Sequence, residues 1–307
     1  MESASGLPPF PKDVPTHPLL QISLKKLLDN NAEEEKRVID ACEDNGFFYL
    51  DVRDAGSYSS ILSDIDKLLM IGEEFFSLNL EEKMKYNLSS TTPYFGYKRP
   101  GSSVIDRTGK RDRNESYNVS KVDMLGIVEP LPRPDPFKRG HETVVSFMKT
   151  SHSTVTLLLN LLNKSLDLPK GTLASLHQLK AMSSDTVRII KAPSLPLDER
   201  DAIILREHTD YGSITLVYNT LGGLQALAPG KDAKFVYVQP LPGHLIVNIG
   251  DSLYRFTNGL LRASMHRVVA PPGEQADFDR YSLTYFLRLG WNESWGPEER
   301  HGLTFGR

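Results

Sequence analysis

In the stretch REHTDYGSITLVY, Arg206 to Tyr218, a histidine and an aspartate stand two residues apart, just ahead of an alternating apolar run. In a strand, residues i and i+2 face the same side, roughly 6.6 Å apart at Cα. His208 and Asp210 can therefore converge on one ion from a strand end. The pair needs a third ligand, because one His-x-Asp among 8 histidines is weak by itself. His266, in LLRASMHRVVAPP, leads another run of strand character and is the best candidate. Taken alone, it would read as a partly buried histidine beside Arg267. The other histidines offer less. His17, His141, His152, His177 and His301 lie in loops or on helices without a matching partner, and His244, in a Pro-Gly turn, reads as solvent-exposed.

Two imidazoles and one carboxylate on one side of an octahedral metal leave three positions open, the facial triad of non-haem Fe(II) oxygenases. A structural zinc site would close with cysteine or histidine, and Cys42 is the chain's one cysteine. A second pair follows 14 residues after His266: Arg280 and Ser282, in DRYSLTYF, again i and i+2. The planar guanidinium fork matches a carboxylate bidentately, and the hydroxyl adds a donor. A keto acid could chelate the metal at one end and have its far carboxylate held by this pair. Each feature alone could belong to an ordinary surface. Their joint order favours a metal site: His-x-Asp, a histidine before a strand, then Arg-x-Ser, all within strand-like sequence.

The elements that must position these residues divide the chain. NAEEEKRVIDACEDNG reads as an amphipathic helix with Ala32, Val38, Ile39 and Cys42 near one face and Gly46 just past its end. GFFYLDV is a buried strand candidate. SYSSILSDIDKLLMIGEEFFSL and residues 142–166 carry helical apolar spacing, and Asn79 is placed to cap a further helix. Residues 1–18 are Pro-rich and read as irregular or draped on the surface, and residues 88–140 as a long irregular segment. Short strands follow at 186–190, 213–218, 224–227, 235–238, 245–249, 266–270 and 282–287, separated by Gly- and Pro-containing turns. This order predicts a helical N-terminal half and an all-β C-terminal half closed as a barrel or jelly roll.

With these motifs in hand, the chain resembles the iron- and 2-oxoglutarate-dependent dioxygenases of the isopenicillin N synthase-like family. HTDYGSITLVY, GGLQ (222–225), VNIGD (247–251), TNG (257–259), MHRVV (265–269) and RYSLTYF (280–286), which begins at Arg280, are similar to that family's core. GFFYLDV, FFSLNLEEKMKY and NESYNV (114–119) are similar to its N-terminal module. The resemblance covers about residues 17–288. It implies an α+β fold with a mainly β core, a distorted double-stranded β-helix (jelly roll) with flanking N-terminal helices. Residues 1–140 would form a helical and loop module that does not fold independently, and residues 141–307 the helix plus oxygenase core.

The resemblance also implies Fe(II) on His208, Asp210 and His266, with 2-oxoglutarate as cosubstrate on Arg280 and Ser282. O2 would be consumed, succinate and CO2 released, and ascorbate could serve as reductant. The substrate would be a small organic molecule, plausibly a secondary metabolite, undergoing hydroxylation, desaturation or ring rearrangement. The sequence departs from the family in two places. Ile190-Lys191-Ala192-Pro193 stands where plant-type relatives often have Asn-Tyr-Tyr-Pro, so the usual extra donors to the keto acid are missing or replaced. The tail GWNESWGPEERHGLTFGR has no glutamine and is short, which implies a reduced C-terminal lid. Some relatives use the Arg-x-Ser pair for a substrate carboxylate, so an iron oxidase or oxidative cyclase without 2-oxoglutarate is the alternative.

For the substrate, the segment 91–120 could cover the barrel mouth, with Tyr94, Tyr97, Arg99 and Tyr117 as its aromatic and basic candidates. Arg188, on the strand before the metal loop, and Phe286, on the Arg-x-Ser strand, could wall the pocket. If Arg188 faces the iron, the substrate is anionic or strongly polar. Composition excludes other classes. A net charge of −3 gives no general attraction to nucleic acid or anionic membrane, and no apolar run reaches the about 20 residues needed to span a bilayer. The N-terminus lacks the basic and apolar regions of a signal peptide, and one cysteine suits a reducing compartment. The expectation is a cytoplasmic monomer.

Overall fold

A computed structural model describes residues 6–105, 108–196, 202–230 and 233–290. Twelve strands lie among them: β1 Gln21–Ser23, β2 Phe47–Asp51, β3 Gly96–Lys98, β4 Glu115–Ser120, β5 Thr186–Ala192, β6 Ile203–His208, β7 Ile214–Asn219, β8 Leu224–Leu227, β9 Phe235–Tyr237, β10 His244–Ile249, β11 His266–Val269 and β12 Arg280–Leu287. They form an eight-stranded sheet, β1-β2-β10-β7-β12-β5-β4-β3, and a four-stranded sheet, β6-β11-β8-β9. Only β1 and β2 pair in parallel; the other strand pairs are antiparallel.

The period of two along each strand sorts the large sheet's two faces. Val187 and Ile189 of β5, Leu283 and Tyr285 of β12, and Leu245 and Val247 of β10 face the helices and join one core. That core is completed by the three long helices among the described residues, α2 Ala32–Asp44, α3 Ser60–Ser77 and α7 His141–Ser165. The alternate residues point the other way, towards the small sheet. Phe47, Tyr49 and Ile246 meet Leu224, Ala226 and Val238 there and close one end of the sandwich. At the other end, Arg188, Ser282, Thr284 and Phe286 line an open cavity.

The local signals for the helices hold. Asn31 caps α2 by accepting from the Glu34 amide, and Gly46, at φ 64°, bonds back to the Ala41 carbonyl just past its end. Asn79 accepts from the Glu82 amide at the start of α4 Leu80–Met84. Residues 8–17 run along the small sheet, where Phe10 packs on Tyr237 and Gln275 donates to the Pro8 carbonyl.

Three expectations need correction. The N-terminal half is not simply helical: β1 to β4 make up half of the large sheet. The segment 88–140 is not irregular throughout, since it contains β3, the wholly buried β4, α5 Lys121–Met124 and α6 Asp135–Arg139. Its polar composition misleads because buried ion pairs satisfy β4 and its neighbours: Lys83 to Glu115 at 2.6 Å, and Lys121 to Asp185 at 3.1 Å. His244 is not solvent-exposed; it starts β10 and is 7% exposed. The tail 291–307, including His301 and the expected reduced lid, lies outside the described residues.

Candidate active site

Strand register brings the two histidines together. β6 ends at His208, β11 begins at His266, and the two are cross-strand partners with ring centroids 4.3 Å apart. His208 Nδ1 lies 2.9 Å from the Arg206 carbonyl oxygen, and His266 Nδ1 lies 3.2 Å from that of Ser264. Donating Nδ1–H to a carbonyl fixes each ring and leaves the Nε2 lone pair for a metal. Both Nε2 atoms stand 3.8 Å from Asp210 Oδ1. Two metal bonds of about 2.1 Å span at most about 4.2 Å, so one ion can touch both partners of each pair. These three residues are the one cluster of metal-ligating side chains found among the described residues.

Asp210's second oxygen is already occupied. Oδ2 accepts from Thr215 Oγ1 at 2.6 Å and from Asn248 Nδ2 at 2.7 Å, which aims Oδ1 at the imidazoles. Burial works to raise this carboxyl, but His266, His208 and the two hydrogen bonds outweigh it and hold it below its ordinary value. Burial, and then the His266 charge, lowers the His208 imidazole, which keeps it neutral and able to ligate.

The turn carrying Asp210 is tied to the sheet through its backbone. The amides of Gly250, Asp251 and Ser252, at the start of α9 Asp251–Phe256, donate to the carbonyls of Ser213, Asp210 and Gly212 at 3.0, 2.7 and 3.1 Å. Ser213's amide donates to Leu287 of β12 at 2.9 Å. A Cβ on Gly250 would sit 2.2 Å from the Gly212 oxygen and 2.6 Å from the Asp210 oxygen. The glycine of VNIGD is thus required by close approach of the metal loop.

A cavity of about 270 Å³ lies between the sheets, lined at one end by the His/Asp/His cluster and elsewhere by Arg280, Ser282 and Asn219. Ser282 and Asn219 are cross-strand partners on β12 and β7. Arg280 donates from Nε to the Gly222 carbonyl and from Nη2 to Asn219 Oδ1, both at 2.7 Å. Gly223 makes room for this run of the guanidinium: it adopts φ 106°, and a Cβ there would meet the Val269 oxygen at 2.6 Å. No carboxylate pairs with Arg280 among the described residues, and burial alone pushes the guanidinium down to about 10. Asn219 Nδ2 is also buried with no acceptor. A buried cation and an orphaned donor on one wall need an anion with two acceptor oxygens. Ile190 and Ala192, at the departure from the family's pattern, line the same cavity as apolar wall and donate nothing from their side chains.

The substrate candidates divide. Arg188 and Phe286 line the cavity, with the guanidinium carbon 4.9 Å from the ring centroid. Tyr117 does not line it: it points to the opposite face of β4, into the helix-side core against Phe137 at 4.4 Å and Phe75 at 4.9 Å. Its neighbour Asn118 takes the cavity-side position and accepts from Arg188 Nε at 2.7 Å. Tyr97 is buried, with its hydroxyl donated to Glu115 Oε2 at 2.7 Å. Tyr94 and Arg99 are exposed and line no part of the cavity. The Tyr94 carbonyl accepts from Asn118 Nδ2 at 3.0 Å. Thr215, Asn219, Asn248 and Arg288 were not among the sequence candidates. Extending the i, i+2 row of β12 from Arg280 through Phe286 by one more step would have found Arg288.

Comparison with known proteins agrees with this geometry. Residues 183–289 match the 2OG-Fe(II) oxygenase superfamily, and residues 18–132 match the N-terminal region described as that of a non-haem dioxygenase in morphine synthesis. A 2-oxoglutarate-dependent dioxygenase of Aspergillus fumigatus is 33% identical over 296 residues, covering 90% of this chain and 76% of that protein. The chain belongs to the 2OG-Fe(II) oxygenase superfamily. A second 2-oxoglutarate-dependent dioxygenase, from Glarea lozoyensis, is 33% identical, covering 88% of this chain and 79% of its own length. The fold is that of a full-length Neurospora crassa protein solved in complex with alpha-KG (TM-score 0.74, 24% identity, 88% and 85% of the two chains). It also matches a putative 2OG-Fe(II) oxygenase family protein of Caulobacter crescentus (TM-score 0.75, 23% identity, 90% and 88%). As a 2OG-Fe(II) oxygenase, the protein is an oxidoreductase that uses Fe(II), 2-oxoglutarate and O2, and its fold is the expected double-stranded β-helix. Among the described residues, no helix is long and apolar enough to cross a membrane.

Proposed function

We propose that this oxygenase holds Fe(II) through His208 Nε2, Asp210 Oδ1 and His266 Nε2, and the far carboxylate of 2-oxoglutarate through Arg280, Ser282 and Asn219. The reaction is hydroxylation, desaturation or ring rearrangement of a small organic molecule of secondary metabolism. The observation that carries this reading is the shared cavity, with the His/Asp/His cluster facing it and the uncompensated Arg280, beside the orphaned Asn219 amide, on its wall. The bound iron and 2-oxoglutarate would activate O2, the oxidant, with the keto acid oxidised to succinate and CO2 as co-products.

The chain's own residues have physical tasks. Thr215 and Asn248 hold Asp210 in one rotamer. The carbonyls of Arg206 and Ser264 hold the two imidazoles. Arg280 and Ser282 fix the keto acid's orientation, and the apolar wall formed by Ile190, Val217, Leu224 and Val268 excludes water from the reacting atoms. Arg188 and Phe286 stand where a substrate would meet the metal.

Residues 1–140 are read as a module without independent stability, a reading supported by the four strands it lends to the large sheet. Ascorbate is expected to prolong turnover as a reductant. A cytoplasmic setting is in keeping with the single, buried Cys42. The monomeric state is checked by light scattering. The catalytic reading is tested by succinate release during a substrate screen. Succinate should form in step with substrate oxidation and disappear in His266→Ala; substrate oxidised without succinate would contradict the reading.

A further inference from the structure

The charge lining the cavity does not balance. Its charged side chains are one carboxylate, Asp210, and three guanidinium groups, Arg188, Arg280 and Arg288. Fe(II) and 2-oxoglutarate carry opposite charges of equal size, so their binding leaves the excess in place. Arg280 is matched to the cosubstrate's far carboxylate in the reading above. Arg188 and Arg288 remain.

Both lie at the metal end. In register, Phe286 stands opposite Thr215, the residue that holds Asp210, and Arg188 stands opposite Thr284. Both guanidinium groups lie against one ring: Arg188 Cζ is 4.9 Å and Arg288 Cζ 5.5 Å from the Phe286 centroid. Arg188 spends only Nε, on Asn118 Oδ1, which leaves Nη1 and Nη2 unengaged among the described residues. Arg288 Nη1 donates to the Ser184 carbonyl and Thr186 Oγ1, while its Nε is buried without a partner. Neither has a carboxylate within ion-pair distance among the described residues. The nearby Asp185 is engaged by Lys121 at 3.1 Å and takes only the main-chain amide of Arg288. Two guanidinium groups gathered on one ring without a counter-ion are costly unless an anion completes them.

Resting on the oxygenase reading, we propose that Arg188 and Arg288, both packed on Phe286, form an anion subsite for the primary substrate, and that this substrate is a small carboxylic acid with an apolar body. The free fork of Arg188 is the bidentate partner of the carboxylate. Phe286 and the aliphatic wall, Leu205, Val217 and Val268, take the body. The cavity, about 270 Å³ and shared with the cosubstrate, limits its size.

The test uses the full chain, loaded with Fe(II) and 2-oxoglutarate under anaerobic conditions. It is titrated with 3-phenylpropionate and octanoate and with the methyl ester of each, and read by calorimetry and by the visible charge-transfer band of the iron–keto acid complex. The acids are expected to bind at least tenfold more tightly than the esters. Arg188→Met should erase that preference and Arg288→Met should reduce it, with the 2-oxoglutarate band and affinity unchanged and ester binding unmoved. Arg188→Lys should restore part of the preference. Acids that bind no better than esters, or a preference that survives Arg188→Met, would overturn the subsite. The band in each variant shows that its site is folded. Its absence in the wild type would overturn the oxygenase reading and this subsite with it.

Discussion

Asp210 shows how much of the site depends on side chains that never touch the metal. One of its oxygens is committed to Thr215 and Asn248, and this leaves the other on a single bearing. Groups that orient ligands in this way are typically worth 10–100-fold in metal affinity. Thr215→Val and Asn248→Ala should therefore each weaken Fe(II) binding by about tenfold or more without unfolding the protein, as measured by competition with a chelator of known affinity. Unchanged affinity in both variants would mean that Asp210 is held by its backbone alone. The residues that gather at the cavity, His208, Asp210, His266, Arg280 and Ser282, were legible in the sequence, because His-x-Asp and Arg-x-Ser each place two side chains on one strand face. Thr215, Asn219 and Asn248 were not, because nothing in a local stretch says which polar residue of one strand meets another across a sheet. Only the register of β7 with β10 and β12 brings them to Asp210 and Arg280.

At the scale of elements, the start of α9 and the turn after β6 act as one unit. Three consecutive amides, from Gly250 to Ser252, hold three carbonyls of the turn, and the approach is too close for any side chain at Gly250. Gly250→Ala must push the Asp210 turn away from β10. The expected result is loss of iron binding together with a stability loss of about 1–3 kcal/mol in urea unfolding, the usual range for overpacking. An alanine variant that binds iron like the wild type would show that the turn is not held in this way. In the C-terminal half β5 and β7 to β12 were readable because their apolar alternation is regular and turn residues bound them, whereas β6, only partly buried and carrying Arg206 and Glu207, was not. β4 was not: in NESYNV the row Asn114, Ser116 and Asn118 is polar, and the opposite row, with Tyr117 and Val119, begins with Glu115, which is paired to Lys83 inside the protein. The same alternation explains why Tyr117 was misplaced, since a residue beside the cavity-facing Asn118 must point the other way.

Over the whole molecule, several polar groups are buried in the neutral form. His17, His152 and His177 all have imidazoles lowered below the usual value, chiefly by burial. His177 bridges the Leu173 carbonyl and Ser213 Oγ at 2.6 and 2.7 Å, and His152 meets the His177 carbonyl at 2.7 Å. The unfolded chain takes up these protons at a higher pH than the folded one. Their contribution to stability is therefore complete above the ordinary imidazole pKa of about 6.5 and is lost as pH falls below it. The slope is about 1.4 kcal/mol per pH unit for each imidazole kept neutral. Urea unfolding of the wild type should change little from pH 7.5 to about 6.5 and weaken from there to 5.5, and His177→Gln should make that fall shallower; a wild-type profile flat down to pH 5.5 would contradict neutral burial. The gross architecture, a jelly roll with helices on one face, followed from motif order and resemblance. The contribution of β1 to β4 to the large sheet did not, because pairing between strands far apart in sequence leaves no local trace. The central claim is that one cavity presents an iron triad together with an anion cradle at Arg280, and it is tested most directly by adding 2-oxoglutarate to the iron-loaded protein without oxygen. A weak visible charge-transfer band that saturates in the wild type, and requires far more 2-oxoglutarate in Arg280→Ala, is the predicted result. Bound iron with no band, or a band indifferent to Arg280→Ala, would contradict it.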